Sequence, residues 1–181
     1  EDSRVKIPCI LHLVRLGYRY LSLKNAVWDE ETNIFPDLFR AAIARINPDL
    51  EGDDIDRLLA DVKLSLENED LGKAFYERIT ERSGARLIDF ADFSNNSFHV
   101  VTELTCKNGD DEFRPDITLL INGLPLVFIE VKKPNNREGV LAERSRIITR
   151  CRNPRFHRFI NLTQLMVFSN NMEYDYGSPQ P

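Results

Sequence analysis

RPDITLLINGLPLVFIEVKKP, residues 114–134, decides how the rest of the chain is read. Two apolar runs flank Asn122-Gly123, a dipeptide that favours a tight hairpin turn. Both runs are nearly continuous, so their strands are expected to be covered on both faces of a sheet. Three charged residues stand out against them: Asp116 at one end, Glu130 and Lys132 at the other. Burying such groups unpaired costs on the order of several kcal/mol each. Either solvent or a bound cation must compensate them.

Residues two apart in a strand share a face, so Glu130 and Lys132 project together and Val131 projects away. Opposed residues of an antiparallel pair also share a face and keep a constant index sum. A regular two-residue loop at Asn122-Gly123 would set Asp116 opposite Ile129 and throw Glu130 to the wrong side. A three-residue loop, or one bulge, brings both carboxylates to one face. The expected form is a three-residue loop with a bulge and Gly123 in the left-handed position. Once aligned, the carboxylates lie about 5–8 Å apart at Cβ. One hard divalent cation can then bind both. Mg²⁺ suits oxygen ligands and keeps several waters, and Mn²⁺ can substitute. The backbone carbonyl of Val131 is a further candidate ligand. A metal-bound water has a lowered pKa, and Lys132 beside it would position the hydroxide and stabilise charge on a phosphate. The residues therefore point to metal-assisted phosphodiester hydrolysis, with Asp116, Glu130 and Lys132 as the catalytic set. The plainer alternative is an edge hairpin carrying a solvated ion pair.

The chain has 181 residues, 42% hydrophobic and 29% charged, with a net charge of −5. That supports a real core, and one domain or one domain with a helical extension. No apolar run approaches the roughly 20 residues of a membrane span, and no secretory signal is visible. Cys9, Cys106 and Cys151 are widely spaced, which fits free thiols in a reducing, cytoplasmic setting. The net charge argues against a generic nucleic-acid coat, but its distribution is uneven. Residues 49–70 are strongly acidic, whereas residues 132–158 concentrate Lys132, Lys133, Arg137, Arg144, Arg146, Arg150, Arg152, Arg155 and Arg158. Such a basic stretch suits a polyanion, with Lys133, Arg137, Arg144, Arg146 and Arg150 as candidate DNA contacts. The alternative is a solvated helix face paired with acids elsewhere.

The apolar spacing predicts helices after Pro8, from Pro36 to before Pro48, from a cap at Asp53 or Asp54, and over Asp70–Thr80. After Ser83-Gly84 the period changes. ARLIDF and SFHVVTELTC read as strands, KNGDDE as a turn, and the hairpin follows. A basic helix is expected over Glu138–Cys151, then a strand at QLMVFSN and an edge strand at MEYDY. The order is a helical segment, residues 1–82, then a β-β-β-α-β core, residues 83–181. Glu103, on the strand before Asp116, is a possible accessory acid reaching the metal through water.

Pro115-Asp116 followed by Glu130-Val131-Lys132 resembles the PD-(D/E)xK nuclease signature. The longer text FRPDITLLINGLPLVFIEVKKP is similar to the N-terminal nuclease region of type I restriction enzyme R subunits. FHVVTELT and FINLTQLMVFSNNMEYDYG share that likeness. The resemblance implies an α/β, restriction-endonuclease-like αβββαβ core with a mixed sheet behind the helical segment. It implies Mg²⁺-dependent endonuclease cleavage of double-stranded DNA in bacterial defence, together with methylation and specificity subunits. It further implies an ATP-driven motor region, expected C-terminal in the same polypeptide. No GxxxxGK[ST] phosphate loop occurs here, so ATP would bind only through that region. The end Pro179-Gln180-Pro181 reads like a linker. One departure is plain: the family's glutamine and tyrosine, four residues apart on the helix after the ExK strand, are missing from GVLAERSRIITRCRN. Glu143, Arg144, Arg146 and Arg150 are the polar candidates for that role. A non-catalytic docking module on a nuclease-like fold, and a repair nuclease of the same superfamily, are the competing readings.

Overall fold

The computed structural model describes residues 2–108, 111–134 and 137–179, without the side chains of residues 2, 108, 111 and 137. Its order is α1 (Ile7–Arg15), β1 (Arg19–Tyr20), α2 (Pro36–Ile46), α3 (Gly52–Ser65), α4 (Lys73–Thr80), β2 (Phe98–Thr102), β3 (Cys106–Asn108), β4 (Asp111–Phe113), β5 (Ile117–Ile121), β6 (Leu124–Val131), α5 (Arg137–Cys151), α6 (His157–Leu162), β7 (Leu165–Ser169) and β8 (Tyr174–Gly177). Six strands form a sheet in the order β1-β2-β5-β6-β7-β8, and β3 and β4 form a separate ribbon. β2, β5 and β6 run antiparallel in succession, whereas β7 lies parallel to β6 after the α5 crossover. The fold is thus mixed α/β, restriction-endonuclease-like, with a mixed sheet and N-terminal helices.

The β5–β6 hairpin turns in two residues. Asn122 and Gly123 both take positive φ, 53° and 79°, the backbone of the primed turn that matches strand twist. The expected three-residue loop is therefore corrected. The register nonetheless shifts once: Leu120 pairs with Pro125 but Leu119 with Val127, leaving Leu126 as an extra residue. From the bulge onward Ile117 opposes Ile129, and continuing that count sets Asp116 against Glu130. The parity the site needs comes from a mid-strand bulge beside a tight turn. The turn is not a solvated tip. Asn122 is fully buried and gives its side-chain amide to the Leu87 carbonyl at 2.8 Å and to Asn96 Oδ1 at 2.9 Å, while its own oxygen accepts from the Ser97 amide at 2.8 Å.

Other expectations shift more modestly. ARLIDF makes no strand. Its Leu87 and Ile88 fill an apolar cluster instead, and Asp89 accepts the amides of Ala91 and Asp92, closing a loop. SFHVVTELTC is broken at Glu103, whose φ is 57°, so β2 and β3 belong to different sheets. Helix α1 starts before Pro8, which sits in its first turn where its missing N–H costs nothing. It follows one turn of π-helix at Asp2–Lys6.

Packing fixes the two ends of the hairpin differently. Around the turn end, Leu124 and Leu126 join α2–α4 through Phe39, Ile43, Leu59, Val62 and Phe75. Nearer the other end, Val5 and Leu13 cover Ile117, Ile129 and Val131 on one face of the sheet. On the opposite face Val140, Ile147 and Cys151 of α5 pack on Phe128, Met166 and Phe168. The turn end is buried under helices, and the charged end lies between α1 and α5.

Candidate active site

Three neighbouring strand ends carry acids here: Glu103 after β2, Asp116 before β5 and Glu130 near the end of β6. The Glu103 amide donates to the Asp116 carbonyl at 3.3 Å, which continues the β2–β5 ladder one step past the strands. The Val131 amide donates to Asp116 Oδ2 at 2.9 Å. That bond fixes the carboxylate against β6. In an extended strand a residue's N–H and C=O point to the same side, so the Val131 carbonyl faces Asp116 too.

Glu130 is 4% exposed, and its Oε1 is buried with no hydrogen-bond partner. Burial pushes its carboxyl up to about 8, helped by the charges of Asp116 and Glu143 and opposed by Lys132. An orphaned, desolvated carboxylate oxygen beside a second carboxylate is the environment a divalent cation would relieve. Asp116, Glu130 and the Val131 carbonyl are all hard oxygen donors and so fit Mg²⁺ or Mn²⁺. Among the described residues no cluster of three acidic, histidine or cysteine side chains stands ready to hold a metal. The remaining positions would fall to water and substrate.

Lys132 lies on the Glu130 face, and its ammonium pairs with Glu143 Oε2 at 2.9 Å. Glu143 is buried, and its other oxygen pairs with Arg146. It belongs to the inward stripe of α5 formed by Val140, Ile147 and Cys151. A carboxylate set in an apolar stripe at helical spacing is a signal the sequence does contain. Glu143 thus stands at Lys132, on the helix that lacks the glutamine–tyrosine pair the resemblance led one to expect.

Glu103 does not face the Asp116–Glu130 pair with a spare oxygen. One oxygen meets Lys6 and the other meets Arg114 Nε at 3.0 Å. Sequence reasoning missed Lys6. It stands alone between Val5 and Ile7, and its partners lie about a hundred residues further along, so no local pattern could show them.

The basic helix is largely engaged within the chain. Arg144 pairs with Asp175 of β8 at 2.6 Å, Arg146 with Glu143, and the Arg150 guanidinium lies 4.7 Å from the Phe113 ring centroid. Lys133 is exposed next to the site. Arg137 opens α5, but its side chain falls outside the described residues. Arg144, Arg146 and Lys133 still project from the surface around the site.

The chain matches the type I restriction enzyme R protein N terminus over residues 1–180. It belongs to that family. The type I restriction enzyme MjaIXP endonuclease subunit of Methanocaldococcus jannaschii is 27% identical over 99% of this chain but only 19% of its own length. The HindI endonuclease subunit of Haemophilus influenzae is 29% identical over 56% of the chain and 11% of its own length. A second M. jannaschii subunit, MjaVIIP, is 42% identical over 29% of the chain. The chain thus spans about a fifth of the first of these relatives. No helix among the described residues is long and apolar enough to cross a membrane.

Proposed function

We propose that this R-protein N terminus is the Mg²⁺-dependent DNA endonuclease of a cytoplasmic type I restriction enzyme. The observation that carries this is the hydrogen bond from the Val131 amide that fixes Asp116 against β6 next to Glu130, whose buried Oε1 has no partner. Bound there, Mg²⁺ would supply an acidified water and neutralise charge on the scissile phosphate. The chain's own residues do the positioning. Val131 fixes Asp116 through its amide, and its carbonyl faces the same space. Glu143 anchors Lys132, whose ammonium then lies beside Glu130 to orient water and balance phosphate charge. Burial between α1 and α5 keeps the carboxylates poorly solvated, which strengthens their pull on a cation.

Double-stranded DNA would approach the α5 side. Lys133 offers a contact directly, and Arg144, Arg146 and Arg150 would exchange their internal partners for phosphates. Such contacts position a duplex without reading its sequence, so methylation and specificity subunits would choose the target. ATP would act through the motor region of the longer polypeptide. The test uses the full-length R subunit in its assembled enzyme. Asp116→Ala is expected to abolish plasmid cleavage while ATP hydrolysis continues. Cleavage surviving in the purified variant would overturn the assignment.

A further inference from the structure

We propose that Lys6 fills the place of a second cation in this site and so limits it to one divalent ion. The inference rests on the metal-site reading above and concerns how many ions that site admits. The Lys6 ammonium contacts Glu103 and lies 3.8 Å from Asp116 Oδ1. Its side chain is 10% exposed. The preceding residue, Val5, is packed in the apolar cluster under Ile117, Ile129 and Val131, which anchors the turn that delivers the lysine. That turn is π-helical, a form frequent at functional sites.

Asp116 therefore has two neighbours with different fates. Toward Glu130 the space is lined by an orphaned carboxylate oxygen. Toward Glu103 an ammonium is already inserted between the two carboxylates. A Mg²⁺ bridging Asp116 and Glu103 needs ligand oxygens at about 2.0–2.1 Å, so it would occupy the volume the ammonium now takes. The two cations cannot share it, because the ammonium already fills the place between the two carboxylates. Arg114 reinforces the arrangement by holding the second Glu103 oxygen. In this arrangement Lys6 acts as a positioning residue that neutralises one side of Asp116.

The test counts bound Mn²⁺ by calorimetry and by electron paramagnetic resonance, with folding followed by circular dichroism. Wild type is expected to bind one Mn²⁺. Lys6→Met is expected to bind two, with the spin-coupled spectrum of neighbouring ions, and Lys6→Met/Glu103→Gln to return to one. Lys6→Gln, which keeps a polar end, serves if the methionine unfolds the chain. A folded Lys6 variant that binds one ion with unchanged affinity overturns the inference, as does wild type binding two. A folded Lys6 variant that loses affinity for duplex DNA with its Mn²⁺ count unchanged assigns Lys6 to a phosphate contact and also overturns it. No binding by wild type removes the metal-site reading itself, a failure distinct from the others.

Discussion

Glu130 concentrates the chemistry of the site in one residue. Its ordinary carboxyl value of 4.5 is raised to about 8, first by burial and then by Asp116 and Glu143. The folded, metal-free protein therefore holds a proton that the unfolded chain has released above about pH 4.5. The sign follows: stability is highest below that value, falls as pH rises toward 8, and levels off beyond it. Glu130→Gln removes this slope. It is expected to be more stable than wild type at about pH 8.5 by on the order of 4 kcal/mol, and near parity at about pH 5. Urea unfolding of both proteins at the two pH values measures it, and a difference independent of pH would refute the shift. The same proton must leave when a metal binds. Metal affinity is then expected to rise by up to about tenfold per pH unit until pH 8. Lys132 adds a second consequence. Its anchor Glu143 is buried between two cations, so Glu143→Ala should lower cleavage by the assembled enzyme more than it lowers ATP hydrolysis, because the lysine loses its orientation.

At the scale of elements, the hairpin shows how much of the site was legible. The carboxylate pair could be read because strand periodicity is local and a one-residue slip has an all-or-none effect on facing. The place of the slip could not, because Leu126 is one aliphatic among several and nothing in its type marks a bulge. Asn122-Gly123 marked the turn, yet not its burial. The Gly123 carbonyl accepts from the Phe35 amide at 2.9 Å, and an added Cβ would come within 2.7 Å of the Phe35 oxygen and the Phe39 nitrogen. Both are backbone atoms at the start of α2. Gly123→Ala therefore combines positive-φ strain with a backbone clash, and is expected to cost about 2–4 kcal/mol. Thermal unfolding should fall by roughly 5–10 °C, whereas a shift under about 2 °C would mean the turn is not pinned there. ARLIDF was misread for the complementary reason. Its apolar residues are buried among helices without joining a ladder, and a burial pattern alone does not separate the two cases.

At the scale of the whole molecule, the charge asymmetry was visible but its use was not. The basic stretch is partly spent on internal pairs, Arg144 with Asp175 and Arg158 with Glu31 and Glu67, because acids distant in sequence fold beside it. Exposed pairs of this kind are worth about 0–1 kcal/mol, so a duplex can displace them. If Lys133, Arg144, Arg146 and Arg150 contact phosphates, log affinity for DNA should fall with log salt at a slope of about −3 to −4. Each Ala substitution should reduce that slope by about one. A slope near zero would argue for a docking role. Every larger-scale expectation depends on Asp116 and Glu130 holding a metal. The most direct test is a calorimetric titration of the protein with Mn²⁺ at neutral pH, wild type against Asp116→Ala and Glu130→Ala. Saturable binding in wild type that disappears in both variants is the expected result. Binding that persists in either folded variant, or no binding by wild type with or without a DNA duplex, would contradict it.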